Sequence, residues 1–151
     1  MSSPLPSSFA TPFDCTLSEQ PRVLLVDDNQ AILDRASDVL SPGCIVVGAV
    51  TDGCTALEAA AALQPDVIVL DISMPGMCGL EVAARLRAAG STAAVVFLTI
   101  HDDEDVIRAA RGAGGVAYVL KPRLASDLLL AAREASAGRP FVSGDLGDVV
   151  W

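Results

Sequence analysis

Apolar residues along this chain fall into five short, dense runs, each cut off by a polar residue or a turn former. They are residues 22–26, 44–50, 67–70, 94–99 and 116–120, and they are rich in Val and Ile. Runs of this length with β-branched content predict strands, with 22–26 read as buried and 67–70 as buried on both faces. Between them the apolar spacing lengthens to three or four residues, the period of an amphipathic helix. Ile32, Ala36, Val39 and Leu40 share one helical face behind a cap at Asp28 or Asn29, and Ser41-Pro42-Gly43 stops that helix. An Ala-rich helix runs from Thr51-Asp52-Gly53 to about Leu63, and residues 80–89 place Val82 and Leu86 one turn apart. A further helix over residues 103–113 opens with acids, which suit its positive end. The last is expected to start at a Ser126 cap and run to Gly138, with Leu124, Leu128, Ala132 and Ala135 inward.

Strands and helices alternating five times call for a parallel sheet covered on both faces. The segment 1–20, with Pro4, Pro6, Pro12 and many serines, has a composition that orders poorly. The chain therefore divides into a segment 1–20, one domain over 21–138, and a tail 139–151. Phe9 and Phe13 could dock on the domain, and the apolar end Leu146, Val149, Val150 and Trp151 could pack on it or on a partner. No apolar run approaches membrane-spanning length, and no signal peptide is expected, since the first cation is Arg22.

Composition narrows the chemistry. A formal net charge of -9 argues against a nucleic-acid or anionic-membrane surface and for a cation or a basic partner. The four cysteines lack metal-type spacing and read as reduced thiols of a cytoplasmic protein, with Cys44 and Cys54 as small core residues.

In a parallel sheet all strands end on one rim. Four of the five predicted strands end on a reactive group: Asp27-Asp28, Asp71, Thr99 and Lys121. Asp71 alone would be an ordinary turn cap. Together, three carboxylates, a hydroxyl and an ammonium can hold a hard divalent cation such as Mg²⁺ and receive an anion. Such a kit suits phosphoryl transfer, where positioning and charge neutralisation carry most of the catalysis.

The pieces Val26-Asp27-Asp28, Asp71 with Met74-Pro75-Gly76-Met77 and Gly79, Leu98-Thr99, and Tyr118-Val119-Leu120-Lys121-Pro122 resemble the response-regulator receiver domain of two-component signalling. The resemblance covers about residues 22–138 and implies a flavodoxin-like (βα)5 doubly wound α/β fold with strand order 2-1-3-4-5. It implies that Asp71 accepts a phosphoryl group from a sensor histidine kinase or phosphotransfer protein. Mg²⁺ would be held by Asp28, by Asp27 through water, by Asp71 and by the Ser73 carbonyl. Thr99 would move to hydrogen-bond the phosphate, Tyr118 would rotate inward, and Lys121 would pair with the phosphate across a cis Lys121–Pro122 bond. Such a domain catalyses only its own phosphorylation and dephosphorylation, and its output is a contact with a downstream protein. Family analogy adds a homodimer through the last two helices. Residues 98–103 and 120–143 resemble receivers of LuxR/NarL-type regulators, in which a DNA-binding domain follows; thirteen residues after Gly138 are too few for one.

Two departures stand out. Cys78 replaces a commonly polar residue, and Ile100 follows Thr99 where a small residue is usual, so Ile100 is expected to narrow access to Asp71. Ser73 and His101, each two residues beyond Asp71 and Thr99, resemble the family's tuners of acyl-phosphate lifetime, though His101 also reads as a loop residue. Tyr118 has a plain packing reading beside the switch reading. An interaction module that is not phosphorylated, and a phosphatase using Asp71 as nucleophile, stay open; the latter wants a second acid where Ser73 stands.

Overall fold

In a computed structural model of the protein, residues 20–143 are described; Phe9, Phe13 and the apolar end from Leu146 lie outside them. The elements in order are β1 (Arg22–Val26), α1 (Gln30–Leu40), β2 (Ile45–Val50), α2 (Gly53–Leu63), β3 (Val67–Leu70) and α3 (Gly79–Ala88). There follow β4 (Ala94–Thr99), α4 (Glu104–Gly112), β5 (Gly115–Leu120), a 3-10 turn (Lys121–Arg123), α5 (Leu124–Ser136) and β6 (Phe141–Val142). The strands form one parallel sheet in the order β2-β1-β3-β4-β5-β6.

Alternate side chains of each strand feed two cores. Val23, Leu25, Val67, Val69, Val96, Leu98, Ala117 and Val119 meet Leu33, Ala36 and Leu40 of α1 and Leu124, Leu128 and Ala132 of α5. Leu24, Val26, Ile68, Leu70, Phe97 and Tyr118 face the other way, onto Ala56 and Ala60 of α2, Val82 and Leu86 of α3, and Ile107 and Ala110 of α4. Each fully buried Leu, Ile or Val contributes roughly 1.5–3 kcal/mol, so the two-sided burial of β1, β3 and β4 holds their ends firmly at the rim.

The starts of β1 and β3 are also fastened together. The Arg22 N–H donates to the Asp66 carboxylate at 2.9 Å, its guanidinium donates to the Gln64 carbonyl at 2.9 Å, and the Asp66 N–H returns to the Arg22 carbonyl at 2.8 Å. Gln64 itself ends α2 in the left-handed region, at φ 51°.

Several expectations are corrected. The sheet gains a sixth strand, β6, from the segment read as a tail, because Phe141 and Val142 pair with Ala117 and Tyr118. The last helix starts at Leu124 rather than at a Ser126 cap: the 3-10 turn delivers the chain directly into it, and the Ser126 hydroxyl donates to the Arg123 carbonyl. Among the described residues no peptide bond is cis, so Lys121–Pro122 is trans. Pro122 instead sits in the first positions of the 3-10 turn, where its fixed φ suits a helical start and its missing N–H costs nothing. Cys44 is buried as expected, but Cys54 is exposed on the first turn of α2. β2 is an edge strand with partly exposed residues.

Candidate functional site

The ends of β1, β3 and β5 bring Asp27, Asp71 and Lys121 together at one rim. The ladder carries past the strands: the Asp27 N–H donates to the Val50 carbonyl at 3.1 Å and the Asp71 N–H to the Val26 carbonyl at 3.0 Å. Both acids are thus fixed by backbone before their side chains take part. Asn29, not Asp28, caps α1, accepting from the N–H groups of Ala31 and Ile32. That leaves the exposed Asp28 side chain available at the crevice.

Asp27 and Asp71 are only 2% and 3% exposed. Carboxylate oxygens of Asp27, Asp28 and Asp71 all lie within 4.8 Å of one another. The Lys121 Nζ stands 2.9 Å from Asp27 Oδ2 and 3.4 Å from Asp71 Oδ2. Asp27 Oδ2 nevertheless has no aligned hydrogen bond, so its contact with the ammonium is one of proximity and charge. The other oxygen, Asp27 Oδ1, accepts from the Asn29 N–H at 2.8 Å.

The electrostatics follow from this crowding. Burial raises the Asp71 carboxyl to about 6, and the neighbouring Asp27 adds to the rise. Lys121 and the Ser73 N–H, which donates to Asp71 Oδ1 at 3.3 Å, pull the other way without cancelling it. Burial on its own would lower the Lys121 pKa, but its contacts with Asp27 and Asp71 override that and the net shift is upward. Three carboxylates converging within 4.8 Å, two of them buried, are what a hard divalent cation accepts. Asp27, Asp28 and Asp71 therefore fit Mg²⁺.

An open depression of about 500 Å³ lies over this cluster, lined by Asp28, Asn29, Gln30, Asp71, Ser73, Ile100 and Lys121. Ile100 is 69% exposed, so it forms a wall rather than a plug. A second depression, about 550 Å³, opens at the other end of the sheet beside Leu57, Gln64, Arg85 and Leu86. Its one lining carboxylate, Asp66, already accepts the Arg22 N–H.

Thr99 is fully buried and does not line the depression; it lies behind it, its Oγ1 accepting from the His101 N–H at 3.2 Å. The Tyr118 ring is also fully buried, and its hydroxyl donates to the His101 carbonyl at 2.9 Å. Burial pushes the Tyr118 hydroxyl well above its ordinary pKa, and Asp103 and Asp102 push the same way. His101 completes the group through its ring: Nε2 lies 2.6 Å from the Ser73 hydroxyl. Residue spacing places His101 near the site but does not show that it ties Thr99, Tyr118 and Ser73 together.

The fold and the site define a doubly wound α/β domain with an acid-lined crevice at its strand ends, the place where open parallel sheets bind ligands. The chain belongs to the response regulator receiver domain family, which it matches over residues 23–133. Phosphorylation-dependent switching in two-component systems is the general function of that family. The chain is 39% identical over 136 residues to the nitrate/nitrite response regulator protein NarL of Escherichia coli (strain K12), covering 87% of this chain and 62% of that protein. It is 34% identical over 121 residues to the transcriptional regulatory protein LiaR of Bacillus subtilis, covering 79% of this chain and 57% of the relative. It thus spans about three fifths of the length of these relatives. Among solved structures it resembles the signal receiver domain of NarL from Mycobacterium tuberculosis, with TM-score 0.77 and 32% identity over 80% of this chain and 99% of that one. A LuxR-family response regulator from Aurantimonas sp. superposes with TM-score 0.81 at 27% identity, over 86% and 94% of the two chains.

Proposed function

We propose that Asp71 is the phosphoacceptor of a signalling switch. The observation that carries this reading is the meeting of Asp71 with Lys121 and with Asp27 and Asp28, in a crevice open to a phosphoryl donor. An Asp71 carboxylate oxygen attacks phosphorus in a histidine kinase or phosphotransfer protein. The P–O bond forms as the P–N bond to imidazole breaks, and the imidazole leaves with the electron pair and takes up a proton. Asp27, Asp28, Asp71 and the Ser73 carbonyl would hold Mg²⁺, which when bound neutralises the carboxylates and the phosphoryl oxygens. Lys121 is the fixed cation for the phosphoryl group once it is on Asp71.

The switch passes through Thr99 and Tyr118. Thr99 Oγ1 is engaged by the His101 N–H, so turning the hydroxyl toward a phosphoryl oxygen releases that N–H and biases the segment Ile100–Asp103. The Tyr118 hydroxyl follows the same segment through the His101 carbonyl. The output is a changed contact with a downstream protein on this face, in the cytoplasm. The domain turns over no separate substrate; it catalyses its own phosphorylation and dephosphorylation.

The test is incubation of the chain with acetyl phosphate and Mg²⁺, read by intact mass. One phosphoryl group is gained, Asp71→Asn gains none, and hydroxylamine strips the label. A chain that stays unlabelled with every donor and divalent cation overturns the reading and leaves an interaction module.

A further inference from the structure

The two-residue strand β6 is followed by Ser143, which is fully buried. The Ser143 N–H donates to the Tyr118 carbonyl at 3.0 Å, in the parallel pattern set by the pairing of Ala117 with Phe141 and Tyr118 with Val142. The next step of a parallel ladder would give the Leu120 N–H to the backbone carbonyl of residue 143. Instead the Ser143 hydroxyl oxygen accepts it, at 3.0 Å. The sheet therefore ends on a side chain, one residue before Lys121.

The far side of the turn that carries Lys121 is braced separately. Asp127, 7% exposed, accepts from Arg123 at 2.8 Å and from Ser126 at 3.2 Å. Burial alone would raise its carboxyl; the hydrogen bonds from Arg123 and Ser126 hold it below its ordinary range instead. Arg123 is the last residue of the 3-10 turn and Leu120 caps its start. Ser143 thus holds the start of the turn directly, through the Leu120 N–H, while Asp127 and Arg123 brace its end.

We propose that Ser143 is a positioning residue for Lys121, so that β6 and the residue closing it are coupled to the phosphoacceptor site. This rests on the reading of Asp71 and Lys121 given above. The physical basis is short-range. Lys121 reaches between Asp27 and Asp71 from a backbone whose preceding amide is buried and has the Ser143 hydroxyl as its acceptor. Removing that acceptor leaves the Leu120 N–H unsatisfied, and the backbone must shift to find another partner. Coupling of this kind is reciprocal: a phosphoryl group that draws Lys121 into a full bond steadies Leu120 and the Ser143 clasp.

The experiment uses the full chain with Mg²⁺ and acetyl phosphate, comparing wild type, Ser143→Ala and Ser143→Thr. In Ser143→Ala the acetyl phosphate concentration for half-maximal labelling rises about fivefold, the worth of one net hydrogen bond, while the maximal rate changes by less than about twofold. Amide exchange at Leu120 quickens by a similar factor, and Ser143→Thr restores both. In the wild type, loading with Mg²⁺ and acetyl phosphate slows exchange at Leu120 and Ser143 at least about threefold, a readout that survives if Ser143→Ala does not fold. Faster Leu120 exchange with unchanged half-saturation shows a merely structural role and overturns the proposal, as does wild-type exchange indifferent to loading. A wild type that takes no label removes the phosphoacceptor reading and this proposal together. A labelled wild type matched by Ser143→Ala removes this proposal alone.

Discussion

Lys121 stands nearer to Asp27 than to Asp71, 2.9 Å against 3.4 Å. The cation thus leans toward Asp27 and away from the acid proposed to react. Replacing it leaves two buried carboxylates with no cation at contact distance. Lys121→Gln is expected to lower stability at pH 7 in the absence of Mg²⁺ by about 2–3 kcal/mol. At pH 5, where Asp71 carries a proton much of the time, the loss shrinks to roughly half. Urea unfolding at the two pH values measures the difference, and an equal loss at both would show that the carboxylates do not depend on this ammonium.

The Asp71 carboxyl gives the folded protein a pH dependence opposite to that of most paired acids. Its folded value, about 6, lies above the ordinary 3.8. Between those values the folded state binds more protons than the unfolded chain, so stability falls as pH rises through the window. By pH 7 the loss from this group is on the order of 3 kcal/mol. Asp71→Asn removes it. That variant is expected to be the more stable protein at pH 7 without Mg²⁺, and to show a flatter stability profile between pH 4 and 6. Chemical denaturation across that range reports both.

Mg²⁺ acts on the same imbalance. A cation that binds the folded carboxylates and not the unfolded chain stabilises by mass action, by about 2.7 kcal/mol at a hundredfold excess over its dissociation constant. The melting temperature at pH 7 should therefore climb with Mg²⁺ concentration, and climb less in Asp71→Asn. Equal rises in the two proteins would place the ion away from Asp71.

Gly79 sits where a Cβ would run into the Asp71 carbonyl, while its own N–H donates to the Ile72 carbonyl at 2.8 Å. Gly79→Ala must push α3 off the end of β3, an overpacking cost of about 2–3 kcal/mol. Gly76 has positive φ but open space around it, so Gly76→Ala costs only about 1 kcal/mol from backbone strain. Thermal unfolding of the pair separates contact from conformation, and phosphorylation should slow in the first alone.

Ile100 lines the depression and is mostly exposed, so trimming it barely touches the core. Ile100→Ala is expected to widen the approach to Asp71 and speed labelling by acetyl phosphate or loss of the label. Both rates staying within about 30% of wild type would show that the side chain does not narrow the path.

The architecture was legible because buried parallel strands announce themselves. Residues 67–70 read as Val-Ile-Val-Leu, and all four are buried. The cluster of Asp27, Asp28, Asp71 and Lys121 followed from strand-end position alone. Less visible were features that depend on one side chain meeting a distant backbone. β6 is two residues long, too short for any periodicity, and the Ser143 acceptor exists only because the chain turns back beside β5 after α5. His101 shows the same limit, since its carbonyl, N–H and ring each find a partner from a different loop or strand. Pro122 misled because family resemblance was applied to a bond that the local 3-10 turn governs.

The clamp of Arg22 on Asp66 and Gln64 lies at the opposite end of the sheet from the carboxylates. Anchorage and reactivity are therefore kept at separate poles. The roots of β1 and β3 are tied to each other without help from the loops around Asp71. A lesion at Arg22 should consequently loosen the whole molecule without altering which residue reacts, whereas one at His101 should retime the response of a molecule that stays intact.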